Sequence, residues 1–507
     1  MTIMNSTNMK LAALMICSLT LTACDTDFDN PVGDSSSYSA GDADFSHFVA
    51  LGDSLTAGYA DSALYLHGQQ NSYPAILAQQ FALVGGGDFN QPLVSDNLGG
   101  LLFGGNPNPD FGNRLILNAA TSSPEPIAGD PTTEVLSPLS GTFNNMGVPG
   151  AKSFHLGVAG YGNPAGLNAG LANPYFVRFA SSATASMIGD AAAQMPSFFV
   201  MWVGNNDLLS YATSGGIGED QTGNFDPATY GSNDITDPTA FAGVYSNLLA
   251  AMTANPAAQG VLINLPDVSS IPYFTTVPYN AIPLDAATAT YLNTQSPYAA
   301  YNAGLDAVLA GGAIDADEHA LRAISFVAGQ NAIVIDVQEE VDNGDLTDLS
   351  GFGIPAIRHA TAEDLFVLPS SSKLGTLADD NDPTSIWGVA VPMEDGDVLI
   401  PAEIQAIETA RTAMNASIAA MAASNDNLIL VDAAAIMDEI STTGINYGTG
   451  AVYADYATGG AFSLDGVHPT ARGYAVVANI IIDAINDGFN ANIPPVDPGE
   501  YSTIFVK

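Results

Sequence analysis

Short apolar runs that alternate with helix-like segments constrain the fold of this chain more than any other feature. The predicted strands are 47–51, 198–203, 261–265, 332–337 and 428–431. The first three stop at Gly52, Gly204 and Pro266, residue types that commonly end a strand. Alternation of buried strands with helices is typical of a parallel sheet that helices cover. The sequence therefore predicts an α/β fold.

Several segments carry helical signals. Ser72, followed by Pro74, is typical of a helix start, and the helix is predicted to continue to about residue 84. Asp237 and Pro238 give the same signal for a helix that ends near residue 253. Further helices are predicted over 298–309, 401–423 and 474–485.

Two long stretches, 85–142 and 269–427, interrupt this alternation. The first is rich in Gly, Asn, Pro and Asp and is predicted to be mostly loop. The second contains helical segments around a middle rich in Gly, Ser and Asp. Long insertions in α/β enzymes commonly form lids or binding loops. A structural embellishment without contact to substrate is the alternative.

The first residues have the pattern of an export signal. The apolar run 11–23 is too short to span a bilayer as a helix. It ends in Leu-Thr-Ala before Cys24, which resembles the lipobox of bacterial lipoproteins and implies acylation of Cys24 and a membrane anchor. An ordinary signal peptide with an incidental cysteine is the alternative. Residues 1–23 are predicted to be the signal peptide and 24–45 a flexible tether, and the expected location is the bacterial cell envelope, at the outer membrane or cell surface.

Charge and cysteine content exclude several functions. The chain has 53 Asp and Glu residues against 10 Lys and Arg residues, a formal net charge of −43. Such a chain repels phosphate backbones, which argues against nucleic acid as a partner. Both cysteines, Cys17 and Cys24, lie near the start. The body therefore has no disulfide framework, no cysteine-ligated zinc site and no cysteine nucleophile.

A serine follows the first predicted strand directly. The segment Gly52–Leu55 places Ser54 at the carboxyl end of that strand and at the start of a helix. Parallel-sheet enzymes place their sites at this edge, and backbone N–H groups of a helix start can stabilise an oxyanion. Taken alone, the pair Asp53 and Ser54 favours a helix cap over a catalytic role.

A carboxylate and a histidine stand close together near the other end of the chain. Asp465 precedes His468 by three residues, in a turn that leads into the last predicted helix. A serine hydroxyl needs a base to take its proton, and the base needs a partner to hold its tautomer. Asp465 and His468 can supply both. A loop histidine beside a capping Asp is the alternative.

Two further segments carry groups that can bind an oxyanion. Asn206 follows the strand that stops at Gly204, and its side-chain amide can donate a hydrogen bond. In the segment 144–150, Gly147 allows a backbone N–H to approach the same point closely.

Together, and in this order, these four segments resemble the conserved blocks of the SGNH (GDSL) hydrolase family. The similar segments are Gly52–Leu55 for the first block, Gly147 for the second, Gly204–Asp207 for the third and Asp465–His468 for the last. The resemblance covers about residues 46–486 and leaves 487–507 as a C-terminal tail.

The resemblance implies a three-layer α/β/α fold around a five-stranded parallel sheet, enlarged by the two insertions. It implies that Ser54 is the nucleophile, His468 the base and Asp465 the partner of that base. It implies an oxyanion hole made of the Ser54 and Gly147 N–H groups and the Asn206 amide. No metal or organic cofactor is implied.

Three functions are consistent with these features. The first is an exported, lipid-anchored serine hydrolase that cleaves lipid or acyl esters. The second is a carbohydrate esterase that removes acetyl groups from glycans with the same site. The third is a non-catalytic surface-binding lipoprotein on a hydrolase scaffold, since fold does not determine function.

Overall fold

The computed structural model describes residues 37–507 and contains a central sheet of five parallel strands. The strands are β1 (Phe48–Gly52), β2 (Asn145–Gly147), β3 (Phe198–Trp202), β4 (Gln259–Ile263) and β5 (Leu428–Val431). Their order across the sheet is β2-β1-β3-β4-β5. The sequence-based prediction of an α/β fold with a parallel sheet is confirmed.

The predicted strands β1, β3, β4 and β5 are confirmed within two residues at each end. The fifth predicted strand, over 332–337, does not belong to this sheet, so this prediction is wrong. Val334–Asp336 pairs antiparallel with Ile357–His359 in a separate two-stranded sheet. The fifth strand is instead β2, which is only three residues long and pairs with β1 from Asn145 opposite Ala50 to Gly147 opposite Gly52.

Helices cover both faces of the sheet. The longer helices and those near the site are α1 (Ser54–Ala57), α2 (Tyr73–Ala82), α3 (Met187–Ala192), α4 (Asn206–Thr213), α5 (Pro238–Met252), α6 (Pro401–Ala423), α7 (Ala433–Thr442) and α8 (Ala471–Gly488). Residues of α2 and α8 share one apolar cluster with Phe48, Phe198 and Val261. Residues of α5 and α6 share another with Val49, Phe199 and Leu262. Alternate residues of each strand therefore face opposite helix layers.

The predicted helix starts are confirmed. The Ser72 hydroxyl accepts from the N–H of Ala75 at 3.4 Å, and Asp237 caps α5 by accepting from the N–H of Ala240 at 2.7 Å. Each side chain satisfies a backbone donor that the helix itself leaves unpaired. The helix predicted over 401–423 has these bounds in the structure, and the last helix is longer than predicted at both ends.

The larger insertion has an apolar core of its own, which includes Leu305, Ile324, Ile333 and Phe366. Its helices before α6 are Pro272–Thr275, Ala286–Thr294, Pro297–Ala310, Ala316–Arg322, Gln338–Asp342 and Ser370–Lys373. The helix α6 also falls within 269–427, but it packs against the central sheet and belongs to the core. Its strand pairs are Ile282–Leu284 with Gly329–Asn331, Val334–Asp336 with Ile357–His359, and Leu365–Phe366 with Val398–Leu399. The smaller insertion contains the short strands Leu101–Phe103, Asn106–Pro107, Leu115–Asn118, Ser123–Pro126 and Thr133–Glu134, and is otherwise loop, as predicted.

Both ends of the described chain pack on the body. The Phe45 ring stacks on Phe81 with centroids 4.0 Å apart, and the N–H of Ser39 donates to Asn492 O at 3.2 Å. The prediction of a flexible tether up to residue 45 is therefore wrong over 39–45. At the other end, the N–H of Lys507 donates to Leu117 O at 2.9 Å.

Half of the few cations lie inside the protein. Of the ten Lys and Arg residues, five are buried: Arg114, Lys152, Arg178, Arg322 and Arg358. Three more are partly exposed and bonded to carboxylates or a backbone oxygen: Lys373, Arg411 and Arg472. The surface of the described residues therefore carries carboxylates with little opposing charge. No helix within 37–507 is both long and apolar enough to cross a membrane.

Candidate active site

Ser54 lies where the sequence predicts it, as the first residue of α1 directly after β1. Asp53 fixes this turn. Its carboxylate accepts from the N–H of Leu55 at 3.0 Å and from the Asn205 side-chain amide at 2.9 Å. Burial raises the pKa of Asp53 to about 6, against the opposing effect of these hydrogen bonds. Asp53 therefore has the capping role that was the alternative for this segment, which leaves the Ser54 hydroxyl free for another partner.

That partner is His468. The Nε2 atom of His468 lies 2.9 Å from Ser54 Oγ, and its Nδ1 atom lies 3.0 Å from Asp465 Oδ2. These contacts join residues 414 positions apart in the sequence. The structure therefore brings together the three predicted residues as a hydrogen-bonded serine–histidine–aspartate chain.

The surroundings of Asp465 keep it ionised. Its carboxylate also accepts from the N–H groups of Val467, His468 and Ser62, at 2.9, 2.8 and 2.9 Å. Burial acts to raise the pKa of Asp465, but the attraction of His468 and these hydrogen bonds outweigh it and lower the pKa to about 2. An ionised Asp465 can only accept, so Nδ1 of His468 carries the proton and Nε2 accepts from the Ser54 hydroxyl.

Asp61 holds the turn that carries Asp465, and sequence reasoning missed it. Its buried carboxylate accepts from the N–H of Leu464 at 3.0 Å and from the Tyr65 hydroxyl at 2.8 Å. Its own N–H donates to Ser463 Oγ at 2.9 Å. Asp61 and Ser62 both have positive φ, 53° and 63°, which non-glycine residues rarely adopt. This turn points the N–H of Ser62 at Asp465. A polar pair after the first helix was the only sequence signal for it.

An aromatic side chain covers one side of the histidine. The Tyr59 ring centroid lies 4.7 Å from that of His468, and the Tyr59 hydroxyl donates to Ser62 O at 2.6 Å. Tyr59 in turn contacts Tyr175, edge to face, at 6.4 Å. These rings restrict the imidazole to the orientation that reaches Ser54.

The predicted role of Gly147 is wrong. Its N–H donates to Asn145 Oδ1 at 2.9 Å, so it is not free to meet an oxyanion. Gly147 is required for packing instead, because a Cβ atom there would lie 2.3 Å from the N atom of Ala57 in α1. This close approach of β2 to α1 is what a glycine allows.

Gly150, three residues further on, has the properties that were predicted for Gly147. It is exposed and has φ of 78°. Among the described residues, no hydrogen-bond acceptor is found for its N–H or for that of Ser54. The Asn173 amide donates to Pro149 O at 2.8 Å and thereby fixes the peptide unit to which the Gly150 N–H belongs.

Asn206, at the start of α4, contacts the loop that contains Gly150. Its side-chain amide donates to Ala151 O at 3.0 Å, and the residue is buried at the start of α4. An amide nitrogen has two hydrogens, so one remains for a second acceptor. The neighbouring Asp207 accepts from the Ser153 N–H and hydroxyl at 2.7 and 2.6 Å, which anchors α4 to the same loop. Ser54, Gly150 and Asn206 are therefore tied to one small region at the carboxyl end of β1 and β3.

Sequence neighbours of two triad residues line an apolar cavity of about 100 Å³. Leu55 and Val467, which are sequence neighbours of Ser54 and His468, line it together with residues of the strand ends, α7 and α8. Another cavity, of about 700 Å³, lies within the larger insertion and contains no triad residue in its lining. No triad residue lines the smaller cavity either, but its lining includes Leu55 and Val467, each one residue away from a triad residue in sequence.

No protein-family model, curated protein or solved structure matches this chain.

Proposed function

We propose that this protein is a serine ester hydrolase of the SGNH (GDSL) type that works through an acyl-enzyme. The hydrogen-bonded chain from Ser54 Oγ through His468 to Asp465, with distances of 2.9 and 3.0 Å, carries this proposal. The five-stranded parallel sheet with helices on both faces is consistent with it. Asp53 and Asp61 hold the three hydrogen-bonded residues in place, which supports an active site rather than a chance contact.

The reaction begins when Ser54 Oγ attacks the ester carbonyl carbon while His468 Nε2 takes the hydroxyl proton. The imidazolium that forms is stabilised by the ionised Asp465, which stays unprotonated. Collapse of the tetrahedral intermediate breaks the bond to the alcohol oxygen, and His468 returns the proton to that leaving group. Water then repeats the sequence on the acyl-enzyme and releases the carboxylic acid.

The oxyanion of the tetrahedral intermediate needs donors that are already in place. We assign this role to the N–H groups of Ser54 and Gly150 and to the free amide hydrogen of Asn206. The Gly150 assignment replaces the one predicted for Gly147, whose N–H donates to Asn145. Asn173 and Asn206 hold the loop that presents Gly150, because their amides donate to Pro149 O and Ala151 O.

The substrate class that the site favours is an ester with an apolar acyl chain. The cavity lined by Leu55 and Val467 exposes almost only apolar surface, which matches a hydrocarbon chain better than a hydroxylated glycan. Deacetylation of glycans remains the second candidate, because an acetyl group leaves this cavity empty without preventing the chemistry.

A series of nitrophenyl esters of rising acyl length, with acetylated xylan beside it, tests this assignment. Each buried CH₂ contributes about 0.8 kcal/mol, so the butyrate ester should exceed the acetate ester by about tenfold in kcat/KM. Val477→Phe, which fills the cavity from α8, should remove this preference and retain acetate cleavage. Val244→Phe on α5, a partly buried valine outside the cavity lining, is the matched control. Highest activity on acetylated xylan would favour the glycan esterase instead.

We also propose that Cys24 is acylated and anchors the protein in a bacterial envelope membrane. Cys24 lies outside the described residues, so the lipobox resemblance alone supports this proposal. Cys24→Ser should move the protein to the soluble fraction and abolish incorporation of labelled fatty acid. Cys17→Ser, a cysteine within the same apolar run, should change neither. Cys24→Ser protein that still sediments with membranes after a high-salt wash would contradict the anchor.

A further inference from the structure

Three carboxylates from separate segments converge at the junction between the larger insertion and α6. Glu339 lies on the helix Gln338–Asp342, Asp395 follows in the turn before Val398–Leu399, and Glu403 lies in the first turn of α6. One carboxylate oxygen from each residue lies within 4.8 Å of the other two. Such a set of oxygen atoms matches the ligands that hard divalent cations take in proteins.

The buried environment of Glu403 distinguishes this cluster from an ordinary group of surface carboxylates. The residue is 2% exposed, so its carboxylate has almost no access to solvent. Its Oε2 atom accepts from the N–H of Ile400 at 2.7 Å, but its Oε1 atom has no hydrogen-bond partner. A buried oxygen without a partner is costly, and native structures usually satisfy it with a donor, a water molecule or an ion.

No cationic side chain within residues 37–507 forms an ion pair with this cluster. The cations nearest along the chain have other partners: Arg411 pairs with Glu408, Arg358 with Glu340 and Asp364, and Lys373 with Glu394 and Asp397. Among the described residues, no cationic side chain therefore offsets the negative charge that these three carboxylates carry when ionised.

Two glycines make room for this arrangement in the loop after α4. Gly215 has φ of 71°, and a Cβ atom there would lie 2.5 Å from the Gly396 backbone. Gly216 has φ of 87°, and a Cβ atom there would lie 1.5 Å from Glu403 Oε1. The loop therefore lies directly against two of the acidic segments, where larger residues would displace the Glu403 carboxylate.

We propose that Glu339, Asp395 and Glu403 form a Ca²⁺ site that joins the insertion to the core of the protein. Ca²⁺ accepts 6–8 oxygen ligands at about 2.3–2.6 Å, so ligands on opposite sides of the ion lie up to about 5 Å apart. The three carboxylate oxygen atoms, which lie within 4.8 Å of one another, satisfy this limit. Mg²⁺ binds at about 2.0–2.1 Å in a strict octahedron, whose opposite ligands are only about 4 Å apart. Water completes the coordination on the exposed side of Asp395.

The ion would tie together three segments that are distant in sequence: the helix that begins at Gln338, the turn at Asp395 and the start of α6. Because α6 packs against the central sheet, the position of the insertion becomes coupled to occupancy of the site. None of the three ligands belongs to the triad or its donors, so the ion stabilises the fold and has no part in the chemistry.

Chelator-treated full-length protein in mild detergent, titrated with CaCl₂, tests the site. Thermal unfolding followed by tryptophan fluorescence should show a rise in Tm of about 3 °C at a Ca²⁺ concentration 100 times the Kd. Calorimetric titration should show one tight Ca²⁺ site per chain and weaker binding of MgCl₂. NaCl at equal ionic strength controls for screening of the net charge of −43.

Variants separate the site from general binding to an acidic surface. Asp395→Asn changes an exposed residue and should fold normally while losing the tight site. Glu403→Gln should lose it as well. Glu408→Gln, on the same helix but paired with Arg411, should retain it. An equal rise in Tm in wild type and Asp395→Asn, or no rise beyond that in NaCl, would overturn the proposal and leave a cluster that shares protons.

Discussion

Replacing Ser54 by alanine should lower kcat for ester hydrolysis by about 10⁴-fold or more without unfolding the protein, since loss of the nucleophile leaves only the oxyanion donors and binding. The Ser54 hydroxyl has His468 Nε2 as its hydrogen-bond partner, and alanine is well tolerated in the helix that begins there. The variant should therefore unfold at nearly the wild-type temperature. Retention of more than about 1% of the wild-type rate by a folded variant would reject Ser54 as the nucleophile.

Two further measurements make this result specific. An organophosphonate ester should add one covalent group to the peptide that contains Ser54 in wild type, and none in Ser54→Ala. Ser72→Ala is the matched control, because Ser72 is also a buried serine at a helix start. Loss of that cap should reduce the free energy of unfolding by about 1 kcal/mol and leave kcat unchanged. Equal loss of activity in both variants would indicate a structural effect.

Replacing Asn206 by alanine should lower kcat by about 10²–10³-fold and change KM little. The amide hydrogen that Ala151 leaves free would contact the oxyanion, which exists in the transition state and not in the bound ester. Steady-state kinetics on one nitrophenyl ester gives both constants. The bond to Ala151 O is lost as well, so a moderate decrease in Tm is expected beside the kinetic effect.

The neighbouring Asn205 provides the control, because its amide donates to Asp53 and not to the loop. Asn205→Ala leaves a buried carboxylate without that partner and should cost about 1–3 kcal/mol of stability. Its effect on kcat in the folded protein should be much smaller than that of Asn206→Ala. A larger loss of kcat in Asn205→Ala would show that the donor has been assigned to the wrong asparagine.

Much of the central fold could be predicted from the sequence because four strands are largely apolar runs bounded by Gly, Pro or polar residues. The strand β2 could not, since Asn145–Gly147 is too short and too polar to give a strand signal. Its place in the sheet depends on tertiary contacts with β1. Conversely, 332–337 has a good strand pattern, but it lies within the insertion, where the pairing partner Ile357–His359 is available.

The candidate site, too, was predictable only in part. Ser54, Asp465 and His468 were predictable because the chemistry requires these residue types in short motifs. The choice between Gly147 and Gly150 was not, because both glycines fit the pattern. It depends on which N–H the protein already uses and on which residue lies against α1. Asp61 was missed because no sequence pattern reliably predicts a positive φ at a non-glycine residue.

The insertion was the least predictable part. Its strands are two or three residues long, below the length at which alternation can be recognised. The three carboxylates of the proposed Ca²⁺ site are spread from Glu339 to Glu403 and have no motif spacing. In a chain with 53 acidic residues, only the three-dimensional arrangement distinguishes them from the rest.

Because half of the cations are buried, the acidic surface favours release of the product of the proposed reaction over its rebinding. An uncharged ester approaches the acidic exterior without electrostatic cost, and hydrolysis converts its acyl part into an anion at neutral pH. The field of the exterior, which few lysine or arginine side chains offset, then drives that anion away from the protein. Product inhibition by the released acid is thereby weakened, and rebinding becomes rarer as the surrounding salt concentration falls.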